Sequence, residues 1–167
     1  MDAGFEAVYA RYGRQVHAFA ARFTGDVGAA EEICQETFVR YLEHEEALRG
    51  RNGHVAPWLF RVAANLGVDR LRKMKPAALH DGDALPGPPR LATEPDEGER
   101  VRRAVAALPP DLRAAFLLRT HHGLTFPQMA LVLDLSERGA KDRYRRARDV
   151  LIERLSPWFP ERLPHVP

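Results

Sequence analysis

Six basic side chains crowd one short stretch near the end of the chain: Arg138, Lys141, Arg143, Arg145, Arg146 and Arg148. Guanidinium groups can do two jobs on a nucleic acid. They grip phosphate oxygens, and they make bidentate contacts to the guanine edge in the major groove. Asp142 sits among them; an acid there would either repel phosphate or accept from a cytosine amino group. A charged stretch alone is more often a solvated face, and Asp142, Asp149 and Glu153 stand at helical spacing to pair with these cations. The preceding residues shift the balance. Thr125 and Gln128 have the spacing of a capping box and predict a short helix over Phe126 to Leu133. Asp134-Leu135-Ser136 reads as a tight turn, with Ser136 as N-cap of a long basic helix to about Leu155. A short helix, a three-residue turn and a long basic helix are the parts of a helix-turn-helix. Met129, Ala130 and Leu133 would pack on Leu135, Ala140 and Tyr144, with the small Ala130 allowing close approach.

No other constellation points to chemistry. The sequence offers no paired nucleophile and base, no phosphate loop and no Cys/His set with metal spacing, so no catalytic residue, metal or cofactor is expected and the chain reads as non-enzymatic. Cys34 falls on an apolar helical position and reads as an inert buried thiol. His121 and His122 lack a third ligand nearby and read as a helix C-terminal cap. No apolar run approaches the roughly 20 residues of a membrane span, and Met1 to Glu6 lack a secretory pattern, so a cytoplasmic protein without membrane insertion is expected. Net charge is only +2, but residues 1–75 hold 11 basic against 10 acidic side chains, residues 76–99 hold 1 against 6, and residues 100–167 hold 13 against 7. The basic C-terminal third is the footprint a phosphate backbone requires.

These side chains need helices to position them. Phe5, Val8, Tyr9, Tyr12, Val16, Phe19, Ala20 and Phe23 recur at helical spacing, and Thr24-Gly25-Asp26 breaks the pattern. A second helix is predicted from about Val27 to Leu48, its apolar set Ala30, Ile33, Cys34, Thr37, Phe38, Tyr41 and Leu42. A third starts near Ala56, carries Trp58, Leu59, Val62, Ala63 and Leu66 inward, and ends in Arg70, Arg72, Lys73 and Lys75. Pro76, Pro86, Pro88, Pro89 and Pro95, set among acids and glycines, mark a flexible linker. Beyond it, helices are predicted from Glu99 to Leu108 and, capped by Asp111, from Leu112 to about His121. The fold expected is all-α: an N-terminal unit over 1–75, a linker over 76–98, a C-terminal unit over 99–156 and a short tail over 157–167. The linker's composition further implies mobility and no core shared between the halves, so proteolysis within 76–98 would leave two folded fragments.

The segments Leu108-Pro109-Pro110-Asp111-Leu112-Arg113, Phe116-Leu117-Leu118-Arg119, Gly123-Leu124-Thr125-Phe126 and Arg146-Ala147-Arg148 resemble the C-terminal promoter-binding domain of extracytoplasmic-function sigma factors, of the sigma-70 family. Independently, Ala30-Glu31-Glu32-Ile33-Cys34-Gln35-Glu36-Thr37-Phe38 resembles their polymerase-clamp helix. Trp58-Leu59-Phe60-Arg61-Val62-Ala63-Ala64-Asn65, with Asp69 and Arg72, resembles their promoter-melting segment. Three positions depart from the family pattern: Asp134 stands where Gly is usual, Gly139 where Thr is usual, and Asp142 where Ser is usual.

The resemblance implies a function and assigns roles. Core RNA polymerase and promoter DNA become the partners, with no small-molecule substrate; an anti-sigma factor is a further partner the family implies. The face Glu32, Gln35, Glu36, Val39 and Arg40, opposite the apolar stripe of the second helix, would grip the polymerase clamp. Asn65 would capture an unstacked base of the −10 element, for which an amide offers one donor and one acceptor. Arg61, Arg70, Arg72 and Lys73 would touch the phosphates of the melted strand. Trp58 reads first as core, with base stacking as its other role. Ser136, Arg138, Lys141, Asp142, Arg143, Arg145, Arg146 and Arg148 would face the −35 duplex. The rival reading is a helix-turn-helix regulator that binds duplex DNA without docking on polymerase.

Overall fold

The structure, a computed structural model, describes residues 3–49, 54–74 and 96–160. Among them are seven α-helices and no strand: α1 Ala3–Thr24, α2 Val27–Leu48, α3 Val55–Met74, α4 Glu97–Ala106, α5 Pro110–Thr120, α6 Phe126–Leu133 and α7 Glu137–Leu155. None is long and apolar enough to cross a membrane. The first three pack on one another, and the last four form a second helical unit in which α7 lies on α5 and α6.

Local chemistry sets the boundaries. Gly25 adopts φ 72, and Asp26 then caps α2 by accepting from the Ala29 N–H at 2.6 Å. Asp96 caps α4 through the Glu99 N–H, so this helix starts two residues before the Glu99 expected from the pattern. Asp111 does not cap α5. The N-cap is Pro109, which has no side-chain cap bond, and Pro110 takes the first helical position, where its missing N–H costs nothing. Asp111 lies one residue further in and faces Arg143 at 3.6 Å instead. After α7 a turn lays Arg100 over the Trp158 ring at 4.3 Å.

Phe19, Phe23, Phe60 and Leu59 are fully buried and form the centre of the N-terminal unit. There α1 and α3 cross closely, and Gly67 makes the crossing possible: a Cβ at that position would lie 2.6 Å from a ring carbon of Phe23. Gly67→Ala is expected to lower stability by about 1–2 kcal/mol, because overpacking outweighs the roughly 1 kcal/mol gained in helix propensity. Gly13 is the control. A Cβ there meets Tyr9 at an ordinary 3.5 Å, so Gly13→Ala should stabilise by up to about 1 kcal/mol. Urea unfolding of the two variants checks the opposite signs.

Packing overturns further expectations: Tyr9, on the apolar pattern of α1, is 52% exposed. Leu42 was placed on the buried stripe of α2 but is 47% exposed. The halves also share a core. Buried apolar side chains form one cluster running from Val16 to Leu155, with α1 packed on α5 and α3 on α6. The contact is polar as well as apolar: Arg113 of α5 donates to the Phe23 carbonyl at the end of α1 at 2.6 Å. Residues on α5 and in the loop after it thus complete the N-terminal unit, which composition of the linker could not reveal. The proline-rich stretch itself lies almost wholly outside the described residues.

Candidate nucleic-acid interface

The helix-turn-helix is built as its sequence dictates. Thr125 and Gln128 bond reciprocally, the Thr125 N–H donating to Gln128 Oε1 at 2.9 Å and the Gln128 N–H to Thr125 Oγ1 at 3.4 Å. The turn then needs one left-handed residue, and Asp134 supplies it at φ 54, ψ 52. Asp tolerates this region better than most side chains, so it replaces glycine at modest cost. Ser136 Oγ accepts from the Gly139 N–H at 3.0 Å and starts α7. Met129 and Ala140 are fully buried between the two helices.

On α7, a rotation of 100° per residue puts Arg138, Lys141, Arg145 and Arg148 on one outward stripe, with Arg146 at its flank; all five are exposed. Asp142 lies on the same stripe, within 3.9 Å of Arg138 and 3.4 Å of Arg145. It holds two guanidinium groups side by side and places an acceptor between them. Exposed pairs of this kind contribute little stability, and their geometry matters more than their energy. Arg143 points elsewhere, towards Asp111 on α5.

On α3 the same arithmetic gathers Arg61, Asn65 and Arg72, all exposed, on one face. Arg70 is turned towards α2, where it pairs with Glu32 at 3.0 Å. Lys73 is exposed in the last turn. Trp58 is half-buried against Tyr41 and His44, with ring centroids at 6.2 and 5.6 Å. On α2, Glu32, Gln35, Glu36 and Val39 form one exposed face, and Arg40 bonds Glu36 at 2.9 Å. Leu42 continues that face. With Val39 it makes an exposed apolar pair within a charged rim.

The histidine pair splits. The His121 N–H closes α5 on the Leu117 carbonyl, as a cap should. His122 instead inserts between the halves, 5.7 Å from the Phe19 ring and 4.9 Å from the Phe60 ring, with its Nε2 buried and unpartnered. Burial, helped by nearby His121 and Arg22, lowers its pKa from 6.5 to about 4. The neutral ring is therefore the packed form. Its contribution is complete above about pH 6.5 and is lost as pH falls towards 4. Cys34 is buried, its thiol facing the Gly13 carbonyl at 3.7 Å, and burial raises its pKa.

Known proteins share this two-part plan. Residues 8–76 match the family described as Sigma-70 region 2, and residues 98–151 match Sigma-70, region 4. The chain belongs to the sigma-70 family. Among the relatives of this sigma factor, the ECF RNA polymerase sigma factor SigL of Mycobacterium tuberculosis is 29% identical over 143 residues, covering 82% of this chain and 80% of that protein. The RNA polymerase sigma-H factor of Pseudomonas aeruginosa is 26% identical, covering 94% and 89%. A probable RNA polymerase sigma factor of Xanthomonas campestris, RfaY, is 32% identical over 80% of this chain, which spans only 36% of that longer protein. The sigma factor RpoE, solved in complex with the anti-sigma factor NepR from Bartonella quintana, superposes with a TM-score of 0.70 over 91% of this chain and 96% of its own, at 20% identity, and so shares the fold. These relatives place the chain with the extracytoplasmic-function type, and the region 2 and region 4 matches fall on the N-terminal and C-terminal helical units.

Proposed function

We propose that this sigma factor docks on core RNA polymerase through α2, places α7 in the major groove of the −35 duplex, and uses the Arg61, Asn65 and Arg72 face of α3 to hold the melted −10 strand. The units serving these tasks are 1–75 and 99–156, joined through 76–98 and followed by 157–167. The chain makes no covalent step; it positions DNA, and the polymerase supplies the chemistry. The observation that carries the reading is the pairing of a region 2 unit with a region 4 unit whose recognition helix presents an exposed arginine stripe. Charge complementarity on α2 steers docking, while Val39 and Leu42 supply the apolar anchor that a docking face needs at its centre. Because the structurally similar RpoE was solved with an anti-sigma factor, we extend a partner of that kind to this chain.

The test is run-off transcription with core polymerase on genomic DNA, together with a titration of core binding. The wild-type chain should direct initiation from a discrete set of sites. Val39→Asp with Leu42→Asp should weaken core binding at least tenfold while leaving helicity unchanged, since both side chains are already half exposed. A chain that binds duplex promoters tightly but is not retained by core polymerase would instead be a helix-turn-helix regulator.

A further inference from the structure

One acid stands inside the arginine stripe of α7. Asp142 Oδ2 meets the Arg138 guanidinium at 3.9 Å and Asp142 Oδ1 meets that of Arg145 at 3.4 Å, so each carboxylate oxygen has its own cation. The three residues lie within about 60° of one another around the helix, at 100° per residue. Along the axis Asp142 is about 6 Å from Arg138 and about 4.5 Å from Arg145, at 1.5 Å per residue. Each gap spans between one and two base-pair steps of about 3.4 Å. Because α7 begins at Glu137, Asp142 sits in its second turn. That is within the N-terminal part which a helix-turn-helix aims at base edges. A helical side chain leans over the turn before it, which puts the Asp142 carboxylate beside residue 139. That residue is Gly139. With no side chain there, a short carboxylate can approach a groove floor.

We propose that Asp142 is a specificity-determining residue of the −35 contact and that it reads cytosine. The inference rests on the proposed placement of α7 in the −35 duplex and adds a base identity to it. An ionised carboxylate only accepts hydrogen bonds. In the major groove guanine shows N7 and O6, and thymine shows O4, all acceptors that would repel it. Cytosine shows its N4 amino group, whereas adenine sets the acceptor N7 beside its N6 amino group. Cytosine is therefore the base whose own edge offers a donor without an adjoining acceptor. The flanking guanidinium groups have the opposite preference, for guanine N7 and O6. They also offset the repulsion between the carboxylate and the phosphates on either side. The trio Arg138, Asp142 and Arg145 thus selects a cytosine flanked, within about two base pairs on each side, by guanines.

The test is selection of bound duplexes by the holoenzyme of the full-length chain and core polymerase. The −35 window of a promoter recovered by run-off transcription is randomised for it. The unaltered chain should enrich cytosine about tenfold at one position. Asp142→Asn, whose amide matches adenine N6 and N7, should move that position from cytosine to adenine. Asp142→Ser should leave it nearly indifferent, since a hydroxyl both donates and accepts. Guanines opposite the arginines should stay enriched in both variants. Asp142 pairs with exposed side chains, so neither change should disturb folding, and circular dichroism of both checks this. Three results overturn the proposal: no enriched cytosine for the unaltered chain, a cytosine preference that persists in both variants, or variants that bind every sequence more tightly by one common factor. The last would make the carboxylate a brake through phosphate repulsion. Lost guanine preference with no change at the cytosine also overturns it, and would make Asp142 a positioning residue for its arginines. If the unaltered chain fails to bind core polymerase, the function falls instead. The same selection with the chain alone on random duplexes then still reads the base opposite Asp142.

Discussion

Arg113→Ala should lower the stability of the whole chain by roughly 3 kcal/mol or more, the largest loss expected from any single polar side chain here. Arg113 is 6% exposed, and its guanidinium donates to three backbone carbonyls: Phe23 at the end of α1, and Ala106 and Leu108 before α5. Truncation leaves all three acceptors without that donor; the Phe23 and Leu108 carbonyls are bonded in buried positions and, so stranded, carry their full desolvation cost. Burial lowers the Arg113 pKa, but guanidinium begins so far above neutrality that the charge is kept. For a chain of this size the loss corresponds to a melting-temperature drop of about 10 °C. Arg113→Lys should recover only part of it, because an ammonium lacks the planar fork that spans separated carbonyls. Calorimetry decides; a drop of only a degree or two for Arg113→Ala would mean that solvent replaces the guanidinium readily and that the halves do not depend on it.

The second large effect is on DNA. Replacing both Arg145 and Arg148 by alanine should reduce the slope of log K against log salt by close to two units, at about 0.9 per lost phosphate contact, and weaken duplex binding by the holoenzyme ten- to a hundredfold. Arg143→Ala should leave that slope nearly unchanged. Arg143 lies on the same helix and carries the same charge, but it points at Asp111. Net charge alone therefore predicts equal effects per arginine, whereas the helix geometry predicts unequal ones. Filter binding from low to high salt separates the two. Equal slopes for Arg143→Ala and for either outward arginine would show that α7 enters the groove in a different rotation.

Local features of the fold were legible because each is specified by adjacent residues. The capping box at Thr125 and Gln128, the Ser136 cap and the left-handed turn at Asp134 need no distant partner. The arginines of α7 were visible as residue types, but only the 100° rotation divides them into an outward stripe and Arg143, which faces Asp111. Long-range contacts escaped. Arg113 was noticed as part of a motif, yet nothing nearby in sequence says that its acceptor is Phe23, 90 residues earlier. His122 carries no local sign that its neighbours are Phe19 and Phe60. Leu42 was misplaced for another reason: a helix with apolar residues on two faces has a broad hydrophobic pattern, and periodicity cannot say which edge of it is solvent-facing. The shared core escaped because the linker's composition describes the connection between the halves, whereas side chains far from that connection decide whether they touch.

Asp134 also has a genetic consequence. Aspartate and glycine codons differ only at the middle base, so one transition converts the left-handed turn residue into the one that this backbone position favours. Here the substitution would relieve the backbone while removing the carboxylate that faces Arg61. A selection for thermal stability should therefore recover Asp134→Gly early and repeatedly, since glycine adopts that left-handed backbone without cost. Changes at His122, which leave a void or a charge between two phenyl rings, should arise later and only alongside compensating substitutions.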